Sequence, residues 1–360
     1  MRDIAFVTHL ASYNYFGGVE QKISIIHEHI NKGDNEYKVH LFDMWKDNIT
    51  DFDIVHFFNP FFMSQEAKML MDKAMVSGTK IIVTPIFTFH HGITRIMWDS
   101  PIMSVAERLF LGFRKLFRNN EMASYFDPFY NISYLMNNAD KVIVNSRLEM
   151  ENILDFLHVP KELFEVIPNG INSKFKHGDK KEFADMVGIE DYILFVGRVE
   201  PIKNVVSLIN AFLESSLPTK LIIVGDPDPK DPEYIKRCKK AANNDVVFLP
   251  HIPYESTLLT SAYAGAKVYA LPSNYETCGM SGLEAGLAGA NVVVTERGGT
   301  KEYYKDFATY VDPSSIESIK NGLIHAYNSL PSNDLKRHIE DHYSWDAIIN
   351  SQLASYDSLF

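Results

Sequence analysis

Short apolar runs alternate with amphipathic stretches along the whole chain. Twelve of the runs have the length and the β-branched or aromatic content of strands. In the first half they are Ile4–His9, Tyr37–Asp43, Asp53–Phe58, Lys80–Phe87, Lys141–Asn145 and Phe164–Ile167. In the second half they are Tyr192–Val196, Lys220–Val224, Asp245–Leu249, Lys267–Leu271, Asn291–Thr295 and Thr309–Val311. Several are near-continuous Val, Ile, Leu and Phe, the pattern of parallel strands covered on both faces. Helical spacing fills the gaps: Val19, Ile23, Ile26 and Ile30 share one face of a helix. Strand–helix alternation predicts parallel α/β sheets, and two sets of about six strands predict two of them. The divide falls near Pro168-Asn169-Gly170-Ile171, where proline and Asn-Gly punctuate the chain.

Composition supports this division and narrows the partners. A chain of 360 residues exceeds one ordinary core. It is 46% apolar and 22% charged, with a formal net charge of -11, which argues against a broad nucleic-acid surface. The two cysteines, Cys238 and Cys278, suit a reducing cytosol, and neither sits in a metal-ligand cluster. Met1 to Val7 reads as a strand rather than a signal peptide. No apolar run approaches the roughly 20 residues that span a bilayer.

Three segments carry candidate chemistry. Asn274 to Gly286 holds two acids, Glu276 and Glu284, eight positions apart around a loop of small residues. It lies between a strand and a predicted helix over Leu283–Leu287. Backbone N–H groups at a helix N-terminus favour an anion, and two carboxylates accept from hydroxyls. A sugar joined to a nucleotide through a diphosphate needs both features. Arg198 and Lys203 follow the first strand of the second half, and both can reach one anion. The alternative is a pair of solvated cations. Gly17-Gly18, before the first helix, allow close backbone approach to a ligand, or simply a tight turn.

These segments occur in an order that resembles the family-4 glycosyltransferases, retaining enzymes with the GT-B fold. The resemblance spans nearly the full length. It rests on Gly17-Gly18-Val19-Glu20, Ala139 to Ile143, Pro168 to Ile171, Val196-Gly197-Arg198 with Lys203, Glu276 through Glu284, Gly298-Gly299 with Glu302, and Tyr343-Ser344-Trp345. The Glu-x7-Glu spacing with Gly279 inside it is the specific part. The resemblance implies two facing Rossmann-like domains with a cleft between them. Residues 1–170 plus 345–360 would form the acceptor domain and 171–344 the donor domain, with the last helix crossing back onto the first domain.

It also implies roles. Arg198 and Lys203 would hold the donor diphosphate. Glu276 would accept from sugar hydroxyls. The backbone at Cys278, Gly279 and Met280 would contact sugar and phosphate. Glu284 would bind ribose hydroxyls, and Gly18 would let the first helix approach the phosphate. The nucleotide sugar, carrying UDP or GDP, is a co-substrate; no cofactor or metal is implied. The acceptor would be a glycan, a lipid-linked sugar or a protein-linked one. Where many relatives carry a histidine near the reacting sugar, this chain has Ile86, and His90 and His91 follow closely. His90 or His91 is the candidate side chain for the acceptor's proton; the leaving phosphate is the other candidate.

Two further features have competing readings. Asp226-Pro227-Asp228 has the spacing of a metal site, but its prolines read as a rigid loop. Residues 104–118 form a basic amphipathic helix pattern that either covers the first core or lies on the inner face of a membrane. The expected location is cytoplasmic. Competing readings are a sugar-nucleotide epimerase, for which no acid/base set is evident, and a binding subunit that kept its donor pocket.

Overall fold

The computed structural model describes residues 1–9, 18–87, 128–331 and 333–360. Gly17, His90, His91 and the 104–118 pattern lie outside them. The chain divides into two compact units, Met1–Asn169 with Ile348–Phe360, and Gly170–Ala347.

The first unit holds a six-stranded sheet: β1 (Arg2–Val7), β2 (Tyr37–Leu41), β3 (Ile54–Phe58), β4 (Lys80–Thr84), β5 (Lys141–Val144) and β6 (Phe164–Val166), in the order β2-β1-β3-β4-β5-β6. Its strand pairings are parallel. The predicted strand over Lys80–Phe87 stops at Thr84. Pro85 has no N–H to continue the ladder, and Ile86 turns left-handed at φ 50°. The helix Gly18–Lys32 buries Ile23, Ile26 and Ile30 as the spacing predicts. Its fourth buried residue is Lys22 rather than Val19.

The last helix, Trp345–Asp357, contributes its residues from Ile348 onward to this unit. There Tyr356 meets His56 across 3.0 Å and Asp357 accepts from the Tyr37 hydroxyl at 2.7 Å. His56 is fully buried, with its other ring nitrogen 2.8 Å from the Thr84 hydroxyl. Burial pushes its pKa well below the ordinary histidine value.

The second unit holds β7 (Tyr192–Val196), β8 (Leu221–Val224), β9 (Val246–Leu249), β10 (Ala266–Leu271), β11 (Asn291–Thr295) and β12 (Thr309–Val311). Their order is β12-β11-β10-β7-β8-β9, again parallel throughout. Ile193, Leu194, Phe195, Val268, Tyr269 and Ala270 are fully buried, as their unbroken apolar runs require. The strand order reverses between β7 and β10. At such a switch point the connections leave to opposite sides, and the crevice beyond the carboxyl ends of the two strands receives ligands. Among the described residues no helix is long and apolar enough to cross a membrane.

Candidate active site

The candidate residues that follow β7 and β10 sit on loops that are tied together. After β7 the chain makes a short turn, Pro201–Lys203, and Asn204 leaves it left-handed at φ 57°. The Asn204 amide donates to the carbonyls of Pro272 (3.1 Å) and Pro313 (2.8 Å). From the other side, Asn274 donates its backbone N–H to Ile202 O at 2.7 Å and its side chain to Pro201 O at 3.1 Å. Three hydrogen bonds thus fix the turn bearing Lys203 against the loop bearing Glu276, and the fourth, to Pro313, ties the same turn to the segment after β12.

Lys203 Nζ lies 2.7 Å from Glu276 Oε1. The Ser273 hydroxyl donates to the same oxygen at 2.6 Å. The Glu276 side chain is 8% exposed and that of Lys203 25%. Burial opposes the lysine charge, but the Glu276 carboxylate outweighs it and raises the Lys203 pKa. Glu200 stands beside this pair. Burial raises its pKa, against the pull of Arg198 and Lys203. Arg198 pairs loosely with Glu200 at 3.5 Å and keeps 58% of its side chain exposed, so its guanidinium is open to another anion.

The Glu276 backbone is held as tightly as its side chain. Its carbonyl accepts the N–H of Gly299 at 2.9 Å, and its N–H donates to Arg297 O at 3.2 Å. Gly298 allows this approach: at φ 99°, a Cβ there would lie 1.9 Å from Glu276 O.

Gly279 caps the next helix, Met280–Ala288, in a left-handed conformation at φ 71°. This helix starts three residues before the predicted Leu283. The first N–H groups of an α-helix have no intrahelical acceptor, and such an N-terminus favours an anion. The Tyr304 hydroxyl donates to Gly279 O at 2.5 Å, and the Tyr269 hydroxyl lies 2.6 Å from Ser281 Oγ. Cys278 is buried in the core.

Glu284 sits one turn further on, buried, with the Tyr263 hydroxyl donating to its Oε2 at 2.9 Å. Burial lifts its pKa to about 7, against the Tyr263 hydrogen bond and the Lys174 charge. The two acids of the motif therefore occupy different environments: one is paired with a cation, the other is buried among aromatic side chains.

Residues 20–175 match the family model described as Glycosyltransferase Family 4, and residues 179–341 the model described as Glycosyl transferases group 1. The chain belongs to glycosyltransferase family 4. An uncharacterised glycosyltransferase of Methanocaldococcus jannaschii is 30% identical over 235 residues, 60% of this chain and 59% of its own length. The chain spans between about two fifths and three fifths of the length of the curated relatives it matches. Among solved structures, the sucrose-phosphate synthase of Thermosynechococcus elongatus is 16% identical with a TM-score of 0.75, covering 100% of this chain and 99% of that one. Anabaena HepE, solved in complex with UDP and glucose, is 16% identical with a TM-score of 0.74 and covers 100% of both chains. At those identities the likeness establishes the GT-B fold.

Within this family-4 chain, the structure brings Lys203, Glu276, Cys278, Gly279 and Met280 together at one switch point, with Arg198 at the exposed side and Glu284 behind. Gly18 opens the first helix of the other unit. Gly17 and His90 lie outside the described residues. Sequence reasoning missed Ser273, Glu200 and Tyr263. Ser273 ends an apolar run three residues before Glu276, the one signal that could have drawn notice. Of the discounted acids, Asp226 accepts the His251 backbone N–H at 3.1 Å and Asp228 that of Lys230 at 2.9 Å, as loop-forming residues do.

Proposed function

We propose that the protein transfers a sugar, with retention, from a nucleoside diphosphate sugar bound in the 170–347 unit to an acceptor hydroxyl bound by the 1–169 unit. The Lys203–Glu276 pair at the carboxyl ends of β7 and β10 carries this reading. It sets a cation and a hydroxyl acceptor side by side, next to a helix N-terminus. Arg198 and Lys203 would neutralise the diphosphate, and Glu276 would accept from the sugar hydroxyls. Met280 and Gly279 would offer backbone N–H groups to phosphate, and Glu284 would accept from the ribose.

In the reaction, the acceptor oxygen bonds to the anomeric carbon while the bond from that carbon to the phosphate oxygen breaks. The bonding electrons leave on the diphosphate, and the acceptor's proton passes to a phosphate oxygen or to His90. Stabilising the departing negative charge is then the main task of the site. The complexes of HepE with UDP and with UDP-glucose favour UDP as the first nucleotide to test, with GDP second. A glycan or lipid-linked acceptor fits a cytoplasmic enzyme working beside a membrane.

The test measures nucleoside diphosphate release from UDP- and GDP-sugars. Arg198→Ala and Glu276→Ala should each abolish most turnover; normal transfer by either variant overturns the assignment. Donor binding without release on any acceptor would favour a binding subunit.

A further inference from the structure

The first unit buries a charged network that the donor site does not use. Lys22, only 3% exposed, donates to Asn145 Oδ1 at 2.6 Å. Asn145 donates its backbone N–H (2.7 Å) and its side-chain amide (3.2 Å) to Glu149 Oε2. Glu149 Oε1 accepts the backbone N–H of Phe87 at 2.6 Å, across 62 positions of sequence. Part of this is local. Ser146 caps the helix Arg147–Phe156 by accepting the Glu149 N–H at 3.0 Å, and Ser-x-x-Glu is a capping box. Capping explains why Glu149 turns back toward Asn145. It explains neither the bond to Phe87 nor a buried lysine.

The Phe87 N–H follows a residue that needs holding. Ile86 sits at φ 50°, a conformation that a β-branched side chain strongly disfavours. Asn59, at the end of neighbouring β3, is also left-handed at φ 45°, with its N–H bonded to Thr84 O at 2.9 Å. Two adjacent strands thus leave the sheet through left-handed residues, tolerated by the asparagine and strained at the isoleucine, on the edge where parallel sheets bind ligands. Strain of this kind persists only where its surroundings enforce it, and it clusters at functional sites. Enforcement here needs a full carboxylate. Its two oxygens accept from donors on separate segments, and an amide would turn an N–H toward one of them. Burial raises the Glu149 pKa, while the two backbone donors and Lys22 work to keep it charged.

We propose that Glu149, supported by Lys22 through Asn145, is a positioning residue that pins the left-handed turn at Ile86 and so sets turnover rather than donor binding. The proposal rests on the transferase reading above. Its test measures kcat and donor KM for nucleoside diphosphate release from the UDP- or GDP-sugar that the wild-type protein turns over. Glu149→Gln should lower kcat by about tenfold or more and leave donor KM within about twofold. Glycine adopts φ 50° freely, so in an Ile86→Gly background the same substitution should cost less than about threefold.

A folded Glu149→Gln protein with unchanged kcat, or an equal loss in both backgrounds, overturns the proposal. Should Glu149→Gln fail to fold, Lys22→Met carries the test: lower kcat at unchanged donor KM supports it, and unchanged kcat overturns it. A wild-type protein that releases no nucleoside diphosphate sinks the transferase reading instead.

Discussion

Replacing Glu284 with glutamine should stabilise the protein above neutral pH while weakening donor binding. Burial lifts the Glu284 carboxyl from an ordinary 4.5 to about 7. At ~1.4 kcal/mol per pH unit, ionising it inside the fold costs about 3 kcal/mol. The sign follows from which state holds the proton. Below about 4.5 the carboxyl is protonated both folded and unfolded, and it contributes no pH dependence. Between about 4.5 and 7 the folded chain keeps a proton that the unfolded chain has released, so stability falls as pH rises. Above about 7 both states are ionised and the full cost persists. Glutamine keeps an acceptor for the Tyr263 hydroxyl and never ionises. The melting temperature of Glu284→Gln should therefore track wild type near pH 5 and exceed it at pH 8.5 by roughly 6–12 °C, at ~2–4 °C per kcal/mol.

Donor affinity should move the other way. A ribose hydroxyl bonded to the ionised carboxylate draws out the proton, so wild-type affinity should rise with pH through about 7. The variant should lose about 10- to 100-fold at pH 8.5, the worth of a charged hydrogen bond, and show a flat profile. Thermal unfolding across that pH range and titration calorimetry with the nucleoside diphosphate check both halves. Parallel melting curves for the two proteins would refute the reasoning about burial. Pronounced loss of affinity with an unchanged pH profile would refute the ribose role.

Lys203→Met should leave the Glu276 carboxylate buried without its cation, costing about 3–5 kcal/mol of stability and most donor affinity; denaturant melts and calorimetry check this. Gly298→Ala forces a Cβ to within 1.9 Å of the Glu276 carbonyl; displacement of that loop should weaken donor binding at least about tenfold, read by calorimetry. His56 is neutral in the fold with its pKa held well below 6.5 by burial, so the unfolded chain takes up the proton first. Wild-type stability should fall as pH drops below about 6.5, more steeply than that of His56→Gln, a difference visible in melts at pH 7 and pH 5.

Much of the fold was legible because its strands are unbroken apolar runs such as Tyr192–Val196 and Asn291–Thr295, which only a sheet covered on both faces can bury. The ends were less legible. Thr84 stops β4 because Pro85 and the turn at Ile86 override a run that continues apolar through Phe87. The helix capped by Gly279 begins at Met280, three residues before Leu283, since a left-handed cap and the small residues Ser281 and Gly282 leave no periodicity to read. In the site, Glu276 and Lys203 were legible as chemistry, but their contact was not. It depends on Asn204 and Asn274, whose side chains bind carbonyls distant in sequence. Lys22 was hidden for the same reason: a lysine on an apolar helix face reads as exposed until its partner Asn145, 123 positions away, is seen. Nor does spacing separate the two glutamates. Their difference arises from Tyr263 and the packing that buries Glu284.

The route of the chain through its two units has a consequence for its birth on the ribosome. The 170–347 unit is a contiguous stretch, and its two ends are tied within it: the Ile171 N–H donates to Tyr343 O at 2.7 Å, and Trp345 packs on Gly170. It can close as soon as it has emerged. The other unit is discontinuous. Tyr356, Asp357 and Ser355, which complete the partners of His56, Tyr37 and Glu165, are made only after the whole intervening stretch. The segment synthesised first is therefore the one finished last, and until then His56, Tyr37 and Glu165 wait without these partners, the kind of incomplete packing that favours association with other chains.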